Sequence, residues 1–249
     1  MKKSFFALSL VVLLCGLAFA SETDTQLQAI YPGWHNHVGC CGVGGVPPEA
    51  YTMTQITGPP VTPAAFYVEG IVGDECNVLW YVSRPVMTNT GNLSLSYNLR
   101  ISSGVQGSAQ ALERDTKLTL SPGQNQPTLT SNFSFQLLVN YQGQNQVWDL
   151  EVNDQSGGWQ SIGYTIPALT PNVLHSFVLT YSFDLAAKTY SYISINIDGD
   201  VYPVPSNLQN QTMAQIGWST GAIFQFQQDV QPAGGSYTET VTNATYTWW

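Results

Sequence analysis

The sequence predicts an all-β protein built from two packed antiparallel sheets, and three observations carry that prediction. Short runs alternate apolar and polar residues with a period of two, and turn-forming residues separate the runs. No stretch longer than a turn or two shows the apolar period of an amphipathic helix; the best candidate, near Leu208 to Ile216, is a poor one. Residues two apart on a strand share a face, so each run has one apolar face to bury. Ten or more such runs without helices can bury those faces only against one another, in a sandwich.

The elements follow in order. Met1 to Ala20 reads as a Sec signal peptide, with Lys2 and Lys3 as the charged region, Phe5 to Leu17 as the apolar region and Ala18-Phe19-Ala20 as the cleavage signal. A spanning helix needs about 20 apolar residues, so this segment is too short to cross a bilayer. A lipoprotein reading through Cys15 is disfavoured by the bulky Leu14 before it. The mature chain is expected to begin near Ser21, to be secreted or periplasmic, and to have no membrane association. Residues 21–63 are expected to form a flap packed on the sandwich. Gly42-Val43-Gly44-Gly45, Pro47-Pro48 and Pro59-Pro60 leave room for one short strand near Tyr51 to Ile56.

Residues 64–249 are expected to form a single sandwich, since no linker or repeat divides them. Leu93, Leu95, Tyr97 and Leu99 alternate with polar residues, as do Phe133 to Tyr141 and Phe177 to Phe183. Ile193, Ile195 and Ile197 lead into Asp198-Gly199, a two-residue hairpin signal. Phe224 and Phe226 alternate with Gln225 and Gln227, and Thr240 to Trp248 forms a last strand.

Charged residues are 9% of the chain against a usual share of about 25%, while 43% are apolar, enough for a sizeable core. The net charge is −9; without Lys2 and Lys3 it is −11. A chain this acidic lacks the electrostatic footprint for nucleic acid or an anionic membrane. Export permits disulfides, and the mature chain holds Cys40, Cys41 and Cys76. Vicinal cysteines bridge only with strain, so the expected bond joins Cys76 to Cys40 or Cys41 and leaves one thiol over.

The succession Ala111-Leu112-Glu113-x-Asp115, Gln146-Val147-Trp148-Asp149, Trp159, Pro171-Asn172-x-x-His175, Ile197-Asp198-Gly199, Phe224-Gln225-Phe226-Gln227-x-Asp229 and Tyr246-x-Trp248 carries a family resemblance. Gly33-Trp34 before two cysteines, Met53-Thr54-Gln55 and Leu79-Trp80 extend it to essentially the whole mature chain. The chain resembles secreted bacterial proteins of the concanavalin A-like lectin/glucanase superfamily. The resemblance implies a curved jelly-roll sandwich whose concave sheet often holds carbohydrate. It implies no reaction, because lectins, glycan-binding modules, glycoside hydrolases and polysaccharide lyases share that fold.

Glu113 and Asp115 are the sharpest chemical candidates. On a strand they share a face with Lys117, and two close carboxyls raise one another's pKa, which suits acid/base work on a glycosidic bond. The position resembles the carboxylate strand of retaining glucanases, where a second Glu follows; here Lys117 and Leu118 stand in its place. The competing reading is a carboxylate pair bound to Lys117 or Arg100. A lyase would draw on Arg114, Gln136, Gln227, His175 and Tyr141, although His175 shares parity with Phe177 and Leu179 and reads as a core or strand-start residue.

The densest metal-ligand pattern is His35-x-His37-x-x-Cys40-Cys41, which matches no standard zinc spacing; a disulfide-pinned flap with exposed histidines is the preferred reading. No cofactor is expected, with calcium at Asp198-Gly199-Asp200 or at Asp149 and Glu151 as a weak alternative. Four glycosylation sequons, at Asn92, Asn132, Asn210 and Asn243, are expected by chance in a chain of this composition.

A binding face is the more economical reading. If the apolar residues point inward, Gln136 and Asn140, Asp149 and Glu151, and Gln225, Gln227 and Asp229 lie on outer faces, where amides and carboxylates can hydrogen-bond sugar hydroxyls. Tyr190, Tyr192, Trp148, Trp159 and Trp218 are the aromatic rings on hand for stacking, Trp148 sharing parity with the core residues Leu150 and Val152. The expected function is recognition of a neutral glycan or polysaccharide on the concave sheet. The alternatives are a glucan hydrolase using Glu113 and Asp115 and a non-catalytic structural or adhesion protein.

Overall fold

The computed structural model describes residues 22–29, 33–40, 48–55, 63–73, 75–84, 91–105, 109–120, 129–139, 147–153, 158–184, 186–209, 211–215 and 221–249. The strands in chain order are β1 (Glu22–Asp24), β2 (His35–Cys40), β3 (Ala50–Gln55), β4 (Ala64–Gly70), β5 (Cys76–Arg84), β6 (Asn92–Ile101), β7 (Ala109–Leu120), β8 (Leu129–Val139) and β9 (Val147–Asn153). They continue with β10 (Trp159–Pro167), β11 (Leu174–Asp184), β12 (Thr189–Ile197), β13 (Asp200–Pro203), β14 (Gln211–Thr212), β15 (Ala214–Gln215), β16 (Gly221–Val230) and β17 (Gly235–Trp248). Where a helix was weighed, near Leu208 to Ile216, the chain forms a single 3-10 turn (Ser206–Leu208) and two short strands.

Two antiparallel sheets result. The nine-stranded sheet runs β13-β12-β11-β6-β17-β4-β3, with β1 also on β17 and β14 on β12. The eight-stranded sheet runs β10-β9-β8-β7-β16-β5-β2, with β15 on β8. The last two long strands divide between them: β16 lies between β7 and β5, and β17 between β6 and β4. Sequence neighbours β6 and β7, β4 and β5, and β16 and β17 thus sit in opposite sheets, the crossing pattern of a jelly roll. The fold is an all-β jelly-roll sandwich.

The segment read as a Gly/Pro-rich flap contributes strands to both sheets. The strand expected near Tyr51 is β3, which pairs with β4. The sequence shows no alternation at β2, yet β2 pairs with β5 along its whole length at the edge of the eight-stranded sheet. An edge strand buries little, so it needs little apolar pattern; that is why His35-Asn36-His37 gives no strand signal.

Alternation drives the core. Leu93, Leu95, Tyr97, Leu99 and Ile101 of β6 face the interior, as do Phe177, Leu179, Tyr181 and Phe183 of β11. Tyr97 and Phe177, paired across β6 and β11, stack with centroids 5.0 Å apart. Trp34, entering β2, packs edge-on against Phe66 at 5.2 Å and against Phe224 and Phe226 at 5.8 Å.

One polar side chain pins the sheets together through this apolar centre. Gln228 of β16 is 0% exposed; its Oε1 accepts from Trp80 Nε1 at 3.0 Å, and its Nε2 donates to the carbonyl of Phe66, in the other sheet, at 3.0 Å. A second buried amide repairs a break in pairing. The β17–β6 register shifts between Thr242 and Thr245, and the Ala244 N–H freed there donates to Gln28 Oε1 at 2.8 Å. The segment before β2 is thereby tied to the sandwich.

The Asp198-Gly199 signal is borne out. β12 and β13 form a hairpin whose two turn residues both have positive φ, 53° and 96°, as a two-residue turn of this hand requires.

Candidate functional site

The residues with binding chemistry gather on the outer face of the eight-stranded sheet, and register brings them together from strands far apart in sequence. One cross-strand row reads Ser161, Glu151, Gln136, Glu113, Gln227, Leu79 and His37, from β10 to β2. The adjacent row carries Ser134, Asp115, Gln225, Tyr81 and His35. Both rows lie opposite the core face, because the alternating residues Trp148, Leu150, Val152, Phe224, Phe226, Val78, Trp80 and Val82 are buried. Neighbouring strands stand about 4.8 Å apart, so the four residues from Glu151 to Gln227 span roughly 14 Å.

Gln227 and Asp149 are half-buried, as is Glu151. Gln227 Nε2 donates to Asp229 Oδ1 at 2.8 Å, which fixes the amide. Gln225 and Asp229 belong to the same face but are nearly covered, at 4% and 7% exposed. Asp229 pairs with Asn77 of β5 in the unbroken β16–β5 register, while on its other side the β16–β7 register shifts between Gln228 and Val230. The backbones of Glu113, Asp115 and Gln136 hold the row positions just given; their side chains, together with Asn140, Tyr141 and Trp218, lie outside the described residues.

Tyr81 and His35 close the second row at the sheet edge, their rings stacked with centroids 5.3 Å apart and planes at 28°. Sequence reading missed this pair. Tyr81 sits in the continuous apolar run Val78 to Val82, where no alternation marks it as outward-facing, and β2 gave no strand signal.

Three of the rings considered for sugar stacking belong to the core instead. Trp148 is fully buried, as its parity with Leu150 and Val152 suggests, and Tyr190 and Tyr192 are buried as well. A register shift between Thr180 and Tyr181 in the β11–β12 pairing turns Tyr190 and Tyr192 inward. Trp159 is half-buried at the start of β10. Arg100, weighed as a partner for Glu113, is exposed on β6, on the outer face of the other sheet.

His175 does not join the row either. It is buried at the start of β11, among the inward residues of the nine-stranded sheet, which separates it from the Gln227 grouping that a lyase would need. Its Nε2 donates to the Thr170 carbonyl at 3.1 Å, and its Nδ1 lies 2.6 Å from Asp198 Oδ2. Asp198 Oδ1 also accepts from the Ser176 N–H at 2.7 Å. Burial raises the Asp198 pKa, but the His175 hydrogen bond and the Ser176 N–H outweigh it, and the carboxyl titrates below its ordinary 3.8.

This pair walls a cleft of about 210 Å³ at the rim, floored by Ile166, Leu169 and Ile197 and edged by Asp200 and Tyr202. Burial and the charges of Asp200 and Asp198 raise the Tyr202 pKa. Asp198, weighed as a calcium ligand, is thus committed to His175 and Ser176, and among the described residues no three metal-ligating side chains gather.

No protein-family model and no curated protein matches the sequence. Solved structures do match in fold. A carbohydrate esterase from the Shiga toxin-encoding bacteriophage phi24B aligns with a TM-score of 0.48 at 12% identity, covering 92% of this chain and 100% of its own. The endo-1,3-beta-glucanase of Streptomyces sioyaensis aligns at 0.44 and 11% identity, over 86% and 89% of the two chains. The metal-free carbohydrate recognition domain of Emp46p aligns at 0.40 and 8% identity, over 87% and 93%.

Proposed function

We propose that this chain is an exported, non-catalytic carbohydrate-binding protein that receives a neutral glycan on the outer face of its eight-stranded sheet. The observation that carries the reading is the cross-strand row of Glu151, Gln136, Glu113 and Gln227, with the stacked Tyr81–His35 pair one row away. Amides and carboxylates in a fixed row offer acceptors and donors at strand spacing, and sugar hydroxyls need both. An aromatic ring beside such a row offers an apolar platform to a pyranose face. The net charge of −9 opposes anionic polymers and favours an uncharged ligand. In this reading residues 1–20 direct export and are removed, and no metal or cofactor takes part.

A second reading rests on Glu113 and Asp115. Two apart on one strand, their Cα atoms stand about 6.7 Å from each other. A glucan hydrolase would use one carboxyl as acid and the other as nucleophile or base.

One experiment separates the two: a glycan array of the mature protein, run beside reducing-sugar release from β-glucans, xylan and mannan. Retention on a neutral polysaccharide without release supports binding. Release that Glu113→Gln abolishes replaces binding by hydrolysis, and silence in both assays overturns the carbohydrate reading.

A further inference from the structure

Cys76 opens β5 and is 1% exposed, on the same inward face as Val78, Trp80 and Val82. The antiparallel register of β2 and β5 sets Cys40 directly opposite it, on the same face of the sheet. Directly opposed residues of antiparallel strands have Cα atoms about 4.5 or 5.5 Å apart, depending on the pair type, and both values lie inside the range a disulfide spans. Cys41, the other cysteine that could partner Cys76, lies outside the described residues.

We infer that Cys40 and Cys76 are a disulfide pair that fastens the edge strand β2 to β5. The bond forms by exchange with a low-molecular-weight disulfide such as oxidised glutathione. One cysteine thiolate attacks it to give a mixed disulfide and one released thiol; the second thiolate then displaces the other glutathione. Two protein thiols are oxidised, one external disulfide is reduced, and the two protons leave on the two glutathione thiols.

Position gives the bond its consequence. β2 has β5 as its neighbour in the sheet and carries His35, whose ring stacks on Tyr81. A bond at Cys40 closes the chain from 40 to 76 and holds the edge that bears that pair. The inference stands on register and does not depend on the glycan reading.

The test uses the mature chain refolded with a glutathione redox couple, alkylated without reduction and digested for peptide mapping. The deciding variant is Cys41→Ser, which leaves one possible partner. The expected result is a cross-linked peptide joining 40 to 76 in Cys41→Ser and none in Cys40→Ser or Cys76→Ser. Reductant should lower the Tm of Cys41→Ser by roughly 8–15 °C, from the closure of a loop of this length. Alkylated Cys76 in oxidised Cys41→Ser, or a cross-link that survives Cys40→Ser, overturns the inference. Should Cys40→Ser fail to fold, the map of Cys41→Ser decides alone.

Discussion

At the scale of single residues, two polar side chains, one inside the apolar sandwich and one near its surface, carry more than their number suggests. Gln228 joins the sheets through Trp80 and the Phe66 carbonyl. Gln228→Leu keeps the volume but strands a buried indole N–H and a buried carbonyl, so it should destabilise by about 2–4 kcal/mol, read from urea unfolding. Asp198 makes the complementary case near the surface, where its side chain is 46% exposed. Its folded pKa lies below 3.8, so its contribution is fully present above the ordinary carboxylate value and is lost as pH falls through the lower folded value. Asp198→Asn keeps a residue that tolerates the positive φ there but removes the charge. The variant should lose about 2–4 °C of Tm at pH 7 and lose less than wild type between pH 4 and pH 2, in thermal melts across that range.

At the scale of elements, local signals were readable where one turn or one face decides the outcome. Asp198-Gly199 announced the β12–β13 hairpin because that turn needs two positive φ values, which Asp and Gly tolerate. Gly199→Ala should therefore cost about 1 kcal/mol, visible as a lower Tm with the β12–β13 pairing kept in hydrogen exchange. The alternation of Phe224 and Phe226 with Gln225 and Gln227 told which face Gln225, Gln227 and Asp229 occupy; the inward Gln228 was not singled out. What was not readable is who stands beside whom. Gln227 meets Glu113 across more than a hundred residues of chain, and a run of alternating residues names a face without naming its neighbour. β2 escaped notice for a different reason: a polar edge strand held on one side leaves no apolar pattern.

At the scale of the whole molecule, the jelly-roll crossing assembles the face on which the glycan is proposed to bind. By dividing β16 and β17 between the sheets, it centres the amide-rich outer face of β16 between β7 and β5. The backbone positions of Glu113 on β7 and Glu151 on β9 then share a row with those of Gln136 on β8 and Gln227 on β16, and β5 and β2 bring the Tyr81–His35 pair to the edge. The outer face of the nine-stranded sheet has a different character, with serines and threonines of β6, β11 and β17 side by side, such as Ser94, Thr180 and Thr247. The proposal rests on the row of amide and carboxylate positions across the eight-stranded sheet, so binding is predicted on that side of the sandwich.

The most direct measurement is the affinity of the mature chain for the best neutral polysaccharide of an array, with Gln227→Ala on one side of the sandwich and Thr180→Ala on the other. Losing hydrogen bonds from the row should weaken binding by Gln227→Ala about 2- to 12-fold and leave Thr180→Ala at the wild-type value. Unchanged affinity in Gln227→Ala with a loss in Thr180→Ala would place the ligand on the other sheet and contradict the account.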